Sequence, residues 1–190
     1  CTNPAQSLPD QATVRRALER AEFVVVQEAF ASTATCAFAD LLLPATTWGE
    51  KDGTVTNSER RISRVRPAVS PSGEARHDWA IFTALGRRLE QRLPERVATY
   101  RAGTTTLFPY TTPESVWNEH RESTRGRDLD ITGLSYAILE SQGPQQWPMP
   151  EGATEGQARL YADGRFATPD GRARFVADRK STRLNSSHTD

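Results

Sequence analysis

Side chains that bind metals or act as nucleophiles are few in this sequence and lie far apart. The two cysteines are Cys1 and Cys36, and they do not form the Cys-x-x-Cys spacing of a zinc or iron–sulfur site. The three histidines, His77, His120 and His188, are scattered as well, so close spacing assembles no set of metal ligands. The sequence therefore predicts that this chain binds no metal through its own side chains, and that each thiol is buried or incidental.

The sequence contains one cluster of positively charged side chains. Its members are Arg60, Arg61, Arg64 and Arg66. Such a cluster can bind phosphate or dock a partner, but the default interpretation is a solvated edge hairpin whose charges prevent further strand pairing. The large aromatic residues Trp48, Trp79 and Trp147 are predicted to be packing anchors rather than stacking platforms.

The elements that would position these residues begin with a βαβ pattern. Asp10 is a good N-cap for an amphipathic helix, and the helix leads into the unbroken apolar run at 23–26. After a small, weakly helical segment, a second apolar run at 39–43 is stopped by Pro44. Unbroken β-branched runs are typical of strands covered on both faces in a parallel sheet. The pattern predicts the α/β class and the end of a doubly wound (Rossmann-like) parallel sheet.

Ligands bind such sheets at the carboxyl ends of the strands, where backbone N–H groups are unpaired. Three segments, 1–7, 27–32 and 45–50, lie at that edge. They are expected to converge in space and to form the ligand site.

Beyond residue 50 the pattern changes to a mixed helix and antiparallel-strand region. Residues 54–56 and 61–65 are expected to pair as a hairpin. Asp78 can cap a helix that ends before Pro94 and whose apolar stripe consists of Trp79, Phe82, Leu85 and Leu89. The remaining predictions are a helix starting at Thr112-Pro113, an exposed connection at 121–130, a helix at 132–142 stopped by Gly143-Pro144, and antiparallel strands around the Asp-Gly turns at 163 and 170.

Composition limits the possible partners. The 190 residues are 36% hydrophobic, with 24 basic and 24 acidic side chains, so no global field favours nucleic acid or an anionic membrane. No apolar run is long enough to cross a bilayer, and no signal peptide opens the chain. A soluble protein is expected, with neither nucleic acid nor a membrane as partner.

Both ends of the chain have unusual sequences. Cys-Thr-Asn-Pro at 1–4 is similar to the far end of a strand whose body is missing, so an incomplete fold is expected. Residues 178–190 resemble the translation of a sequencing-library adapter and are interpreted as a non-native tail. Residues 106–112 have a shorter likeness to an adapter, which is interpreted as coincidence because a sensible helix start follows.

Several ordered blocks resemble the large subunit of molybdenum oxidoreductases that carry a bis(molybdopterin guanine dinucleotide) cofactor. In chain order they are Cys-Thr-Asn-Pro (1–4), Val-Val-Val-Gln (24–27), Ala-Asp-Leu-Leu-Leu-Pro-Ala (39–45), Trp-Gly-Glu-Lys-Asp-Gly (48–53), Thr-Asn-Ser-Glu-Arg-Arg-Ile (56–62) and His-Asp-Trp (77–79). Gly-Pro-Gln-Gln-Trp-Pro (143–148) and the segment 163–175 are most similar to the assimilatory nitrate reductase branch. The resemblance covers residues 1–177 and implies a piece from the C-terminal half of such a subunit.

The resemblance also implies a division of the chain. Residues 1–98 would be part of the α/β domain that binds one guanine dinucleotide, with 48–76 crossing into the neighbouring domain. Residues 99–177 would be a mixed α+β region of that neighbour.

Five positions match cofactor-contacting positions of the family: Asn3, Ser7, Gln27, Ala45 and Asp78. A carboxylate such as Asp78 can accept both N–H donors on the Watson–Crick edge of guanine. Amides such as Asn3 and Gln27 can bind base or ribose, and a small residue such as Ala45 allows close approach. Two alternatives stay open at this point: Asp78 is only an N-cap, and Gln27 is a solvated strand end.

The implied activity of the intact protein is cytoplasmic reduction of nitrate to nitrite, with an electron-donor protein or reductase subunit as partner. The molybdenum thiolate ligand and the [4Fe-4S] ligands would lie upstream of Cys1, so no catalytic or metal-binding residue is assigned here and the chain alone is expected to be inactive. The alternatives are a formate dehydrogenase α-subunit and a stand-alone nucleotide-binding or interaction domain without redox chemistry.

Overall fold

The computed structural model describes residues 3–101 and 103–176. The expectations for Cys1, His188 and residues 178–190 lie outside this part of the chain. The α-helices in it are α1 (Pro4–Ser7), α2 (Gln11–Arg20), α3 (Asp78–Arg92), α4 (Pro94–Ala98), α5 (Pro113–Ser123) and α6 (Tyr136–Ser141). The strands are β1 (Val25–Glu28), β2 (Leu41–Pro44), β3 (Gly53–Thr56), β4 (Arg61–Val65) and β5 (Gln145–Gln146), and 3₁₀ helices span Ala34–Phe38 and Trp48–Glu50.

The first half contains the predicted parallel pair. Strands β1 and β2 run parallel, with Val25 opposite Leu41 and Glu28 opposite Pro44. Asp10 caps α2 as expected, because its carboxylate accepts a hydrogen bond from the Thr13 N–H. The mixed α/β character is confirmed. The wider doubly wound sheet stays a prediction, because only these two parallel strands lie in the described residues.

The parallel sheet is more open than its sequence predicts. Val25 is 47% and Leu41 is 43% exposed. Between the sheet and α3 lies an apolar groove of about 590 Å³ that includes Phe23, Leu42 and Leu85. The expectation of strands covered on both faces is therefore wrong for the described residues, since none of them fills this groove.

Helix α3 turns a different face inward from the one predicted. Phe82 and Leu85 of the apolar stripe are 62% and 50% exposed, whereas Glu90 is only 3% exposed. Gly86 accepts the ring of Phe108 against the helix, because it has no side chain there. The carboxylate of Glu90 accepts hydrogen bonds from the Thr106 hydroxyl at 2.5 Å and the Leu107 N–H at 2.6 Å. Contacts with segment 104–110 thus determine which face of α3 is buried. Sequence periodicity cannot predict where that segment lies.

The predicted hairpin is present. Strands β3 and β4 pair antiparallel, and the Asn57 side chain organises the loop by accepting from the N–H groups of Glu59 and Arg61. A third strand, β5, adds to β4. This strand was not predicted, because two residues after Gly143-Pro144 are too few for a periodic signal.

The principal core lies beside this sheet. Its buried members are Ile62, Trp117, Ile131, Leu134, Tyr136, Leu139 and Met149. Helix α5 starts after Thr112 as predicted, but it extends to Ser123 and so shortens the expected connection at 121–130. The helix predicted over 132–142 starts only at Tyr136, because Ser135 is its N-cap and Thr132 instead bonds the Asp130 carboxylate.

The segment 151–176 contains turns and bends rather than the predicted antiparallel strands. Asp163 and Asp170 accept hydrogen bonds from the N–H groups of Arg165 and Arg172 respectively, two residues further on. These local side-chain bonds replace a strand ladder. Within the described ranges no helix is both long and apolar enough to cross a membrane.

Candidate functional site

Asp78 lies at the first position of α3 and has two side-chain partners. Its Oδ1 accepts a hydrogen bond from Gln27 Nε2 at 2.5 Å, and its Oδ2 forms an ion pair with Lys51 Nζ at 2.8 Å. The N-cap of α3 is His77, which makes no side-chain capping bond. The interpretation of Asp78 as a simple N-cap is therefore wrong. Gln27 and Asp78, 51 residues apart in sequence, meet as the predicted site requires.

The Asp78 carboxylate is kept ionised. Burial raises its pKa, but the hydrogen bonds from Lys51 and Gln27 lower it by more, so the pKa lies below its ordinary value. The side chain is still 42% exposed. A carboxylate has about four lone-pair positions, so two remain for an incoming donor pair.

The carboxylate faces a small pocket of about 230 Å³. Trp48, Lys51, His77 and Trp79 are among the residues that line it. Trp48 is 65% exposed, so its predicted role as a packing anchor is wrong in the described chain. Lys51 Nζ lies 5.4 Å from the centroid of the Trp48 ring.

The loop that carries Trp48 and Lys51 is hydrogen-bonded through Glu50. Glu50 Oε2 accepts from the Thr47 N–H at 2.6 Å and from the Thr47 hydroxyl at 3.0 Å, and its Oε1 accepts from the Ser72 N–H at 2.8 Å. These N–H donors, with Thr47 first, lower the pKa of Glu50 below its ordinary value. Glu50 and Lys51 were not predicted as site residues. Thr47-x-x-Glu50 is a readable capping-box pattern that would have identified the first of them.

Ala45 is buried behind this loop, at 6% exposure. Its N–H donates to the Glu28 carbonyl at 3.1 Å, which joins the ends of β1 and β2. The neighbouring Thr46 hydroxyl lies 3.1 Å from Nδ1 of His77. Segments 27–32 and 45–50 therefore meet beside the start of α3.

Asn3 and Ser7 form a separate group around α1. Asn3 Oδ1 accepts from the N–H and hydroxyl of Thr35, at 3.0 and 2.5 Å, and its Nδ2 donates to Gln6 Oε1 at 2.9 Å. The Ser7 hydroxyl donates to the Asn3 carbonyl at 2.9 Å and stays exposed. Among the described residues no hydrogen bond joins this group to Gln27, Ala45 or Asp78.

The arginine cluster is mainly structural. Arg60 donates to the carbonyls of Trp147, Gln157 and Ala158. The side chain of Arg64 is 9% exposed and is paired with Asp52 at 2.7 Å. The solvated-edge interpretation is therefore wrong for Arg64, whose guanidinium is buried beside Asp52, while Arg60 ties the hairpin to distant backbone carbonyls.

The cysteine and histidine side chains of the described part stay separate. Cys36 is a buried thiol beside the Thr33 hydroxyl, as predicted. No group of three potential His, Cys, Asp or Glu ligands occurs within residues 3–101 and 103–176.

The sequence of this chain is similar to those of known oxidoreductases. Residues 1–88 match the model of the molybdopterin oxidoreductase family. The chain is 41% identical over 181 residues to a nitrate reductase of Synechocystis sp., covering 93% of this chain and 24% of that protein. It is 37% identical over 173 residues to the F420-dependent formate dehydrogenase subunit alpha of Methanocaldococcus jannaschii, covering 91% of this chain and 23% of that protein. The chain thus spans about a quarter of the length of these curated relatives.

A solved structure supports the fold. The chain resembles acetylene hydratase from Pelobacter acetylenicus with a TM-score of 0.59, over 90% of this chain and 20% of that one. The two are 22% identical, so this likeness concerns the fold alone. Residues 1–88 are thus the part of this chain that matches the molybdopterin oxidoreductase family, and the likeness to the solved structure adds the fold alone.

Proposed function

We propose that the chain is part of a molybdenum-dependent nitrate reductase that converts nitrate to nitrite. The observation that carries this proposal is the 41% identity to a nitrate reductase over nearly the whole chain. The blocks at 143–148 and 163–175 favour the cytoplasmic, assimilatory branch. A formate dehydrogenase is the second candidate, because the 37% identity to such an α-subunit extends over a similar range.

Within that enzyme, Asp78 and Gln27 would bind the guanine base of the cofactor. Guanine presents adjacent N1–H and N2–H donors, and the ionised Asp78 carboxylate has two lone-pair positions left to accept them. Gln27 fixes the orientation of that carboxylate through its bond to Oδ1. The residues present therefore fit a guanine nucleotide at this place.

The other three matched positions have supporting roles in the proposal. Ala45 has no side-chain atom beyond Cβ, so the cofactor can approach the buried backbone there. The exposed Ser7 hydroxyl is suited to ribose. Asn3 uses Oδ1 to hold Thr35, so only its Nδ2, now bonded to the exposed Gln6, is available to a nucleotide.

The molybdenum centre, when bound, supplies the oxygen-atom transfer chemistry. This chain's residues would bind and orient one end of the cofactor. The proposal places the molybdenum ligand and the [4Fe-4S] ligands outside this chain, and it includes an electron-donor protein or reductase subunit as partner.

The test uses the intact protein, obtained by extending the reading frame on both sides and expressed in a host that makes the cofactor. With reduced viologen as electron donor we expect nitrate reduction, and with oxidised viologen as electron acceptor we expect no oxidation of formate. The 190-residue chain alone should show neither activity. Formate oxidation without nitrate reduction would favour the second candidate, and nitrate reduction by the 190-residue chain would contradict the assignment of the active centre to other parts of the protein.

A further inference from the structure

A pocket of about 310 Å³ lies between strand β3 and helix α5. Thr54 and Thr56 line it from the strand, and Val116 and Trp117 line it from the helix. Tyr136, the first residue of α6, lines it as well. We call this space the β3–α5 pocket.

The β3–α5 pocket is distinct from the pocket beside Asp78. Asp52 and Trp79 line both pockets and therefore stand between them. Trp48 and Lys51 do not line the β3–α5 pocket, and neither does any of the five positions matched to cofactor contacts. Nucleotide binding beside Asp78 therefore leaves this second pocket without an assigned ligand.

Two hydrogen-bond donors on the walls of the β3–α5 pocket have no partner among the described residues. The indole N–H of Trp79 and the hydroxyl of Tyr136 are both buried, and neither bonds to another described group. Tyr136 is only 8% exposed. A buried donor without an acceptor is costly and rare in folded proteins. The two donors therefore point to an acceptor that a ligand supplies.

The chemistry of these two groups specifies the ligand atom that faces them. The indole N–H of a tryptophan can only donate. Burial raises the pKa of Tyr136 to about 12, so its hydroxyl keeps its proton at neutral pH. The Arg64 guanidinium carbon lies 3.7 Å from the centroid of the Tyr136 ring and holds that ring in place. The facing ligand atom is therefore an acceptor, such as a carbonyl oxygen.

Asp52 adds an acceptor to the same pocket. Its Oδ1 pairs with Arg64 at 2.7 Å, whereas its Oδ2 accepts no hydrogen bond within residues 3–101 and 103–176. The Asp52 side chain is 33% exposed, so a ligand N–H can reach this oxygen. An anionic ligand would be repelled by the carboxylate, so a neutral ligand is favoured.

The remaining walls suit an apolar ring. Pro113, Val116 and Trp117 line the side of the pocket that α5 provides. The volume of 310 Å³ lies at the lower end of the range of about 300–1,000 Å³ that is usual for small-molecule sites. A ligand with one ring and one polar group therefore fits this space.

We infer that the β3–α5 pocket binds a small aromatic carboxamide. The carbonyl oxygen accepts from Trp79 and Tyr136, the amide N–H donates to Asp52, and the ring packs against the α5 side of the pocket. The inference concerns a site separate from the nucleotide, so it does not depend on the proposed function.

The test is a titration of the full 190-residue chain with benzamide, followed by ¹⁵N NMR of the tryptophan indole N–H groups. We expect a saturable shift of the Trp79 signal, which Trp79→Phe assigns by removing it. The signals of Trp48 and Trp147 are internal controls, because neither residue lines this pocket. Their positions should stay unchanged.

Related ligands test each part of the amide. Methyl benzoate keeps the carbonyl but lacks the N–H, and benzoate carries a negative charge. Each should bind about two- to tenfold more weakly than benzamide. Acetamide has the amide of an asparagine side chain without a ring. Tighter binding of benzamide is expected for a small aromatic ligand, whereas acetamide binding as tight would show that the pocket receives an amide side chain from another part of the intact protein.

Tyr136→Phe tests the donor while it keeps the ring. Benzamide should bind to this variant about two- to tenfold more weakly. The melting temperature of the ligand-free variant should not fall, because the hydroxyl bonds to no described group. Tyr100→Phe is the matched control, since Tyr100 is 73% exposed and does not line the pocket. Its affinity for benzamide should equal that of the parent chain.

Three results would overturn the inference. They are the absence of a saturable shift at Trp79, equal affinities for benzamide and methyl benzoate, and an unchanged affinity for benzamide in folded Tyr136→Phe. The comparison of ligands uses the parent chain, so it decides the question even where a variant does not fold.

Discussion

Replacing Asp78 with asparagine should change which base the chain binds. The substitution keeps the size of the side chain but turns one acceptor oxygen into an NH₂ donor. Asparagine then opposes a donor on guanine with a donor of its own. Xanthine carries an N1–H donor beside the O2 acceptor, so it matches the amide.

The magnitude follows from the two bonds at stake. A hydrogen bond to a charged group contributes about 1.5–3 kcal/mol, and the amide oxygen can still accept one of the two, so losing the other costs about 10- to 150-fold in affinity for GDP. The effect on folding should be much smaller. The Asp78–Lys51 pair is 42% exposed on the acid side, and such pairs contribute roughly 0–1 kcal/mol.

The assay is a calorimetric comparison of GDP and XDP binding to the parent chain and to Asp78→Asn, with thermal unfolding as a check on stability. We expect the parent chain to prefer GDP and the variant to prefer XDP. An unchanged ratio of the two affinities in a folded variant would refute the assignment of Asp78 to the edge of the base. Glu59→Gln is a suitable control, because Glu59 is an exposed acid on the hairpin loop away from this pocket.

Three further predictions concern the fold that supports the site. Leu134→Ala should lower the free energy of unfolding by about 2–5 kcal/mol in urea titrations, because Leu134 is 0% exposed in the core; a loss below about 1 kcal/mol would contradict that burial. Glu50→Gln should lower the melting temperature. Because the folded pKa of Glu50 is lowered from 4.5, its ionised form stabilises the fold above that pH, and this contribution is lost as the pH falls through the folded pKa. The difference in melting temperature between parent and variant should therefore shrink in acid, and a constant difference from pH 7 to pH 3 would count against the role of the ionised capping bonds. Gly86→Ala should destabilise by about 1–3 kcal/mol, because a Cβ there would lie 2.7–2.8 Å from the Phe108 ring. The same change in a Phe108→Ala background should instead stabilise by about 0.5–1 kcal/mol through helix propensity, and an equal cost in both backgrounds would refute the packing.

Local signals in the sequence predicted the elements that local interactions determine. The β3–β4 hairpin was predicted from the two short runs on either side of residues 57–60, and in the structure the Asn57 side chain organises the loop between them. The parallel pairing of β1 and β2 was predicted from two apolar runs, the second of which is stopped by a proline. The inward face of α3 was not predictable in this way, because it depends on Gly86 and Glu90 meeting a segment about twenty residues away.

Only part of the candidate site was predicted from the sequence, for the same reason. Gln27 and Asp78 were both assigned to the cofactor site from the family resemblance, and in the structure they are bonded to each other. Lys51 was missed, because an ion pair across a loop leaves no periodic pattern. The exposure of Trp48 was missed as well, since aromatic residues on a loop usually pack, and only the position of α3 shows that this one borders a carboxylate.

The central claim is that this chain binds the guanine end of a molybdenum cofactor through Asp78. The most direct measurement is the content of molybdenum and of acid-released GMP in the purified intact protein, compared between the parent and Asp78→Asn. We expect the parent to contain both in a fixed ratio, and the folded variant to lose most of each. A parent protein that holds molybdenum without any guanine nucleotide, or a variant that retains both in full, would contradict the account.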